Sequence, residues 1–307
     1  MASPPLVSVL ITAWNKERYL DAAIRSALEQ TRPADEVLVV NDGSTDGTKE
    51  IILSYGSRVR LLDQENQGAA RARNTGIAAA QGQYIAFLDA DDVWKPHKLA
   101  TQLRILEAHP EVALVSSRAE MVDEDAAALH RLTDPRTGSD YDRPRDWHRH
   151  LLMKGNDVMT SSVVVSKSAL LEVGGFFDER RIVSHDYELW IRLSAGRLFW
   201  LGTEPLVYYR MLKKSLLHGS TEKEYGAQLG IISMHRRRYS EQEWQQRVAL
   251  LYREWADSAE YEGESGATAR LWQSARHDPF ALGTWLLAGR IASRRLRRVA
   301  TLMAGTR

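Results

Sequence analysis

The amino-acid sequence predicts an α/β fold with a mainly parallel sheet flanked by helices and a helical C-terminal extension. Short runs rich in β-branched residues alternate with amphipathic segments as far as residue 210. Polar residues follow several of these runs directly, and from residue 221 the pattern is helical and rich in Trp and Arg. Strands and helices that alternate at this length favour right-handed βαβ units. We therefore predict an α/β domain over residues 1–220 and a helical basic region over residues 221–307.

The first half of the predicted domain contains four strands with helices between them. The strands are LVSVLIT, EVLVV, RVRLL and YIAFL, and the helices lie in ERYLDAAIRSALEQT, DGSTDGTKEIILSY and QGAARARNTGIAAAQG. In the first helix Leu20, Ile24 and Leu28 recur at every fourth position and form one apolar face, and Pro33 follows its end. The carboxyl ends of parallel strands meet along one edge, where ligands bind in open α/β sheets.

The second half of the domain has less regular spacing. A helix is predicted in KPHKLATQLRILEAH, with Pro96 near its first turn, followed by a strand in VALVSS. Residues 123–149 are polar and are predicted to form a loop, long enough to suggest a function. Strands SSVVVS and PLVYYR and helices KSALLEVGG and HDYELWIRLSA complete the domain.

Composition excludes several classes of protein. The 307 residues carry a net charge of +1, so no global attraction to polyanions is expected, and nucleic-acid binding is disfavoured. There is no cysteine, so neither disulfides nor a thiolate site can form. No apolar run approaches the roughly 20 residues of a membrane span, and the N-terminus lacks a basic segment typical of secretion signals. We expect a cytoplasmic protein that is soluble or lies peripherally on the inner face of the membrane.

Polar and aromatic side chains collect at the predicted strand ends. They are Thr12, Trp14, Asn15, Asn41, Asp42, Asp89, Asp91 and Asp92. Three carboxylates within four residues repel one another unless a cation offsets their charge, and oxygen ligands suit Mg²⁺ or Mn²⁺. Magnesium takes one or two protein carboxylates and leaves its other positions to water and substrate phosphates, which points to a diphosphate ligand. The alternative is a solvated acidic turn that caps the next helix.

Four linked motifs carry a family resemblance. The segments VSVLITAWNKERYL, VVNDGSTDGT, ENQGAARARNTGIAAAQGQYIAFLDADDVW and GGFFDERRIVSHDYELWIRL resemble family 2 glycosyltransferases with the GT-A fold, over residues 6–210. The resemblance implies a Rossmann-like nucleotide-binding half and a metal-bound nucleoside-diphosphate sugar, with a UDP-sugar as the expected donor. It implies inverting transfer to an acceptor hydroxyl, in polysaccharide or glycoconjugate synthesis.

The resemblance also implies residue roles. It assigns nucleotide-sugar binding to Thr12, Trp14, Asp42, Asn66, Arg73, Asp89 and Asp91. Thr12, Trp14 and Asp42 would hold the base, and Trp14 stands where the family more often has Tyr or Phe. Arg73 would meet diphosphate oxygens, with a surface ion pair as its alternative. Asp89 would bind the ribose, and Asp91 would ligate Mn²⁺ or Mg²⁺.

Asp186 is the candidate catalytic base. Inverting transfer needs a carboxylate that takes the acceptor's proton, and Asp186 matches the Asp of the family's ED pair, here HD with His185. Considered alone, Asp186 would be a helix N-cap. The family often has a metal-binding His after its YYR strand, whereas this chain has Leu212 or a lysine there and His218 later. A third protein ligand is therefore left open, and Lys213 and Lys214 are either phosphate-neutralising or solvated.

The basic C-terminal segment has two interpretations. Arginines among apolar residues predict either a helix on an anionic membrane, which would suit a lipid-linked acceptor, or a packed basic helix. Trp255, Trp272 and Trp285 are predicted to pack helices together, with a homodimer contact as the alternative.

Two other functions fit parts of the sequence. IAFLDADD also fits an aspartyl-phosphate phosphatase of the haloacid dehalogenase type, in which the first Asp is a nucleophile. The other alternative is a sugar-nucleotide-binding protein without catalysis.

Overall fold

The computed structural model describes residues 6–125, 128–133, 139–173, 184–212 and 221–304, without the side chains of 128–133 and 294–304. The chain divides into two compact units, Met1–Leu151 with Gly155–Ser215, and Leu152–Lys154 with Leu216–Arg307. The boundary predicted near residue 220 is at the end of a stretch, 213–220, that lies outside the described residues.

The larger unit is built from strands and helices in alternation. Its strands are β1 (Val7–Ala13), β2 (Glu36–Asp42), β3 (Arg60–Gln64), β4 (Tyr84–Asp89), β5 (Val93–Trp94), β6 (Val112–Val122), β7 (Ala128–Thr133), β8 (Pro144–Asp146), β9 (Val164–Ser166) and β10 (Leu198–Arg210). The helices that begin in it are α1 (Leu20–Leu28), α2 (Thr48–Ser54), α3 (Ala69–Ala79), α4 (Lys98–Ala108), α5 (His148–Lys154), α6 (Lys167–Glu172) and α7 (His185–Ser194).

Within the described residues these strands form one sheet, in the order β3-β2-β1-β4-β9-β6-β10-β5, with β7 beside β6 and β8 beside β10. The half formed by β3, β2, β1 and β4 is parallel throughout. Strand β9 enters antiparallel between β4 and β6, whereas β6 and β10 run parallel to each other. The predicted α/β class with a mainly parallel sheet and a helical C-terminal region is confirmed.

The parallel half brings the carboxyl ends of β1, β2 and β4 together. Thr12 of β1 is the register partner of both Val40 in β2 and Asp89 in β4. The strand is buried on both faces, as its β-branched composition predicts, and α1 covers one side with its apolar stripe. Helix α3 packs close to β1, because a Cβ at Gly76 would lie 2.0 Å from a methyl carbon of Leu10. That close packing fixes the height of α3, and of Arg73 within it, above the sheet.

The predicted loop over residues 123–149 was wrong in part. The described residues of this stretch include β7, β8 and the first residues of α5. Strand β7 pairs with β6, and β8 pairs with β10. Both strands are short and neither contains a continuous apolar run, so they are specified by the backbone groups of an existing strand edge. The two-residue β5, which also pairs with β10, is too short to give a pattern and was missed.

The smaller unit is helical, with α8 (Thr221–Met234), α9 (Glu241–Glu262), α10 (Ala267–His277) and α11 (Leu282–Ala304). Helix α9 begins with a capping box formed by Ser240 and Glu243. A small apolar cluster from α9, α10 and α11 forms a core of its own. Trp255 is buried, as predicted, but Trp272 and Trp285 are exposed, so the prediction that they pack helices was wrong.

The described residues include no helix that combines the length and the apolarity needed to cross a membrane.

Candidate functional site

The three aspartates that follow β4 are each stabilised by a different partner. Asp89 accepts a hydrogen bond from Nη2 of Arg73 at 2.5 Å. The carboxylate of Asp91, whose side chain is 21% exposed, lies 2.6 Å from Nζ of Lys16. Asp92 is 1% exposed, and its oxygens accept from the Ser161 hydroxyl at 2.5 Å and from the Arg210 backbone N–H at 3.0 Å. Two cations and two neutral donors therefore offset the repulsion that the sequence implied.

Asp92 is the most deeply buried of the three aspartates. Burial, and then the nearby carboxylates of Asp91 and Asp89, raises the pKa of Asp92 well above its ordinary value. Tyr209 of β10 is affected similarly, because burial and then four carboxylates raise the pKa of its phenol. Those carboxylates belong to Asp92, Asp89, Asp91 and Asp186. Tyr209 therefore marks a region where the acids after β4 and the acid of α7 act on one group.

Arg73 connects this acidic region to the start of α7. Its guanidinium is buried, and besides Asp89 it contacts Nε2 of His185. A guanidinium can only donate, so Nε2 of His185 is the acceptor and the ring hydrogen is carried by Nδ1. Because His185 is the first residue of α7, this contact places Asp186, one residue later, beside the end of β4.

Asp186 is held by neutral donors. Its Oδ2 accepts from the Thr160 hydroxyl at 3.1 Å and from the Asn156 amide at 3.3 Å, and its Oδ1 accepts from the Tyr187 backbone N–H at 2.9 Å. The side chain lies in the first turn of α7 and is partly buried. The carboxylate is thereby oriented while part of its surface stays accessible.

Asp42 lies at a neighbouring corner, at the end of β2. Its buried carboxylate accepts from the Gln64 amide at 2.7 Å and from the backbone N–H groups of Gln67 and Gly68 at 2.9 and 2.8 Å. These bonds hold the loop between β3 and α3. Gly43, at φ +69°, lets this loop approach, because a Cβ there would lie 2.5 Å from the Asn66 backbone nitrogen.

The loop held by Asp42 borders an open cleft of about 380 Å³. Its lining residues are Asn41, Gly43, Ser44, Lys49, Asp63, Gln64 and Glu65. Asn66 is exposed beside it, and the indole of Trp14 is half exposed after β1. The base-binding role of Asp42 stays a prediction, and the structure adds that, among the described residues, its side-chain hydrogen bonds serve this loop.

The predicted site residues therefore form two groups. Thr12, Arg73, Asp89, Asp91 and Asp186 lie around the ends of β1 and β4, and Asp42 and Asn66 lie around the end of β2.

The described residues are compatible with a metal ion that is bound by a single protein carboxylate. Among the described residues, no three acidic or His side chains group together as ligands. Asp91 offers one carboxylate at a strand end, and a hard cation completes such a site with water and phosphate oxygens. Lys16 holds that carboxylate and would move aside for a metal. Leu212 is buried where the family often has a His, and Lys213, Lys214 and His218 lie outside the described residues.

Sequence reasoning missed five residues of this region, among them Asn156, which donates to Asp186. Lys16, in the motif WNKERY, is next to the singled-out Asn15, and its positive charge beside an acidic strand end was the available signal. Thr160, Ser161 and Tyr209 are far from the acids in sequence and have ordinary residue types. No pattern in the sequence could have assigned them to the site.

Comparison with known proteins identifies the class. The model of the family "Glycosyl transferase family 2" matches residues 8–164, just over half of the 307-residue chain. The chain belongs to this family, and the resemblance inferred from the motifs is confirmed. The match includes β4 and Asp89, so the phosphatase alternative is discarded.

Particular relatives agree with this assignment. An uncharacterized glycosyltransferase of Rickettsia prowazekii is 34% identical over 210 residues, which cover 67% of this chain and 64% of that protein. A putative teichuronic acid biosynthesis glycosyltransferase, TuaG of Bacillus subtilis, is 43% identical over 106 residues, 33% of this chain and 42% of that protein. The chain thus spans less than two thirds of the length of these relatives.

Solved structures confirm the fold. TarS 1–349 of S. aureus in complex with UDP-GlcNAc superposes with a TM-score of 0.65 at 15% identity, covering 89% of this chain and 79% of that one. The same fragment in complex with UDP gives a TM-score of 0.63 at 16% identity, covering 89% and 81%.

Proposed function

We propose that this protein transfers a sugar from a nucleoside-diphosphate donor to an acceptor hydroxyl, with inversion at the anomeric carbon. One observation supports the proposal above all. Asp89 and Asp91, which are each ion-paired, lie near the strand ends in the same region as Asp186, which is held by neutral donors. Family membership supports sugar transfer, and the solved relatives bound to UDP and UDP-GlcNAc support a UDP-sugar as donor.

Asp186 and the residues that hold it have specific roles in the proposed reaction. Asp186 accepts the proton of the acceptor hydroxyl while that oxygen forms its bond to the anomeric carbon. The bond between the anomeric carbon and the diphosphate oxygen breaks, and the diphosphate leaves with the electron pair. Thr160 and Asn156 orient Asp186 for this step through their hydrogen bonds.

The leaving diphosphate needs positive charge near it. Lys16 and Arg73, which neutralise Asp91 and Asp89 in this structure, provide cationic groups at the same strand ends. Asp91 would hold Mn²⁺ or Mg²⁺, which when bound supplies Lewis-acid stabilisation of the diphosphate charge. Asp89 binds the ribose, and Trp14, Thr12, Asp42 and Asn66 form the base-binding side.

The acceptor is proposed to be a saccharide or a lipid-linked saccharide in polysaccharide or glycoconjugate synthesis. A relative whose name places it in teichuronic acid biosynthesis supports this class. The protein would then work in the cytoplasm, at the inner face of the membrane.

The test is a screen of nucleotide sugars with Mn²⁺, with release of nucleoside diphosphate as the measured signal. We expect release from at least one donor, abolished by a chelator and restored by added Mn²⁺ or Mg²⁺. Binding of a nucleotide sugar without release or transfer across a broad acceptor panel would instead favour the non-catalytic alternative. Release unaffected by the chelator would contradict the role given to the metal.

A further inference from the structure

The smaller unit presents an exposed apolar surface at the junction of α10 and α11. Phe280, Leu282, Trp285 and Leu286, which we term the aromatic corner, are 50–93% exposed. Leu282, Trp285 and Leu286 are three and four positions apart on α11, so they share one face of the helix. Single exposed apolar residues are common on proteins, but four large ones within seven residues form a patch.

The orientation of the aromatic corner follows from the packing of α11. Thr284, Leu287 and Ile291 of this helix are almost fully buried, the latter two in the core of the unit. The side of α11 that packs inward is therefore already determined, and the corner is on its other side. The indole N–H of Trp285 donates to the Pro279 carbonyl at 2.8 Å. The polar atom of this ring is satisfied within the chain, which leaves its apolar surface exposed.

The sequence that begins at this surface is basic. From Pro279 to Arg307 the sequence contains no Asp or Glu. The same stretch carries arginines at positions 290, 294, 295, 297, 298 and 307, and α11 continues through most of them to Ala304. Two acids lie beside this surface: Asp278 accepts a hydrogen bond from the Phe280 backbone N–H at 3.2 Å, and Asp257 lies 3.6 Å from Arg290. The segment from Pro279 onward nevertheless carries a net positive charge. Large apolar side chains in such a basic segment match the surface of an anionic bilayer, where rings enter the headgroup region and cations meet lipid phosphates.

We propose that the aromatic corner and α11 bind the surface of an anionic membrane. Phe280, Leu282, Trp285 and Leu286 insert into the headgroup–acyl boundary, and the net positive charge of the arginine-rich segment attracts the anionic lipids. The helix lies on the membrane and does not cross it, consistent with its composition. This proposal does not depend on the proposed sugar transfer. It concerns the smaller unit, and its test measures vesicle binding and not catalysis.

The experiment is flotation of the full chain with vesicles of phosphatidylcholine, alone or with about 30 mol% phosphatidylglycerol. We expect binding to the anionic vesicles to exceed binding to the neutral ones by about tenfold or more, and to weaken as salt rises from about 0.1 M to 0.5 M. The double variant Phe280→Ser, Trp285→Ser should bind anionic vesicles at least about tenfold more weakly than the wild type. Leu286→Gln should weaken binding by a smaller factor.

The matched control is Tyr261→Ser, which removes another exposed aromatic from the same unit and should leave binding unchanged. Thermal unfolding followed by circular dichroism checks that each variant folds; if the double variant does not fold, Leu286→Gln decides. Equal binding of the wild type to both kinds of vesicle, or no binding to either, would overturn the proposal. So would a dimer in sedimentation velocity that the double variant abolishes while vesicle binding stays unchanged, because a second copy would then be the partner.

Discussion

Two groups of charged side chains near the strand ends differ in their exposure and in the kind of partner that holds them. The rim, formed by Asp89, Asp91 and Asp186, consists of partly exposed carboxylates whose partners are mainly side chains, with the Tyr187 backbone N–H as an additional donor to Asp186. The second group, which we term the buried layer, consists of Asp42, Asp92 and Lys98, each of which is at most 3% exposed. Its acids accept from backbone N–H groups among their donors, and its amine is held by the Gln102 side chain.

Consecutive residues show the contrast most directly. Asp91 faces Lys16, a side chain that can exchange one anionic partner for another, whereas Asp92 is bonded to Ser161 and to the backbone of β10. A backbone N–H group in a strand has a fixed position, so it cannot move away when a ligand binds. We therefore expect ligands to displace the partners at the rim, whereas the buried layer holds its loops in place.

The largest expected effect is on the rim, with Asp186→Asn. The amide cannot accept the acceptor's proton, so we expect turnover to fall by roughly 10²–10⁴-fold, with the fold retained. Initial rates of sugar transfer and a thermal melt measure the two properties. Asp146→Asn is the control, because Asp146 also accepts a backbone N–H at a helix start, in α5, but lies outside the site. Turnover near the wild-type rate in Asp186→Asn would remove this residue from the mechanism.

The next effect concerns the buried layer, with Asp42→Ala. Three hydrogen bonds are lost and two backbone N–H groups of the β3–α3 loop lose their acceptor, so we expect unfolding to require about 3 kcal/mol less free energy. Urea unfolding measures it. Asp63→Ala, on the adjacent strand β3, removes one hydrogen bond from the Asn41 amide and a surface ion pair with Lys49, so it should cost less, about 1–2 kcal/mol. If Asp42→Ala keeps its stability and loses only nucleotide affinity, then Asp42 belongs functionally with the rim.

A smaller effect is expected for Asp91→Ala. Loss of the carboxylate should weaken metal-dependent donor binding by about tenfold, or 1.4 kcal/mol, and change the free energy of unfolding by less than about 1 kcal/mol. Titration calorimetry with nucleotide and Mn²⁺ measures the first quantity. Asp125→Ala, at an exposed acid paired with Arg18, is the control and should leave donor binding unchanged. A large loss of stability in Asp91→Ala would place this residue with the buried layer instead.

The last effect is a pH dependence in the buried layer, through Lys98. This lysine is fully buried, its partners Gln102 and Trp94 are neutral, and burial lowers its pKa well below the ordinary value. The unfolded chain binds a proton here up to about pH 10.4, whereas the folded chain releases it earlier. Stability from this group therefore rises with pH between the folded and unfolded pKa values, by at most about 1.4 kcal/mol per pH unit.

Lys98→Met lacks this contribution. The free energy of unfolding of the wild type, minus that of Lys98→Met, should thus increase between about pH 7 and pH 9.5. Urea unfolding of both proteins at several pH values measures this difference. A difference that stays constant, or that falls with rising pH, would show that Lys98 is charged in the folded state.

Much of the fold was predictable because its signals are local. The β-branched run of β1 and the fourfold spacing of Leu20, Ile24 and Leu28 each specify an element without knowledge of the rest. Strands β7 and β8 were not predictable, since their pairing depends on free edges of β6 and β10 that exist only after folding. The same distinction holds at the site. Asp89, Asp91 and Asp186 are conspicuous in their motifs, whereas Thr160 and Tyr209 become part of the region only through packing.

The sequence by itself determined the class of fold, the family, and which acids collect at the carboxyl ends of the strands. Those properties follow from residue type and short-range spacing, which fix strand, helix and turn. Only the tertiary structure decided that Asp91 meets Lys16, that Arg73 joins Asp89 to His185, and that Asp92 is buried. Each of these contacts joins segments far apart in the chain, and their partners are chosen by sheet register and helix packing, which no local pattern encodes.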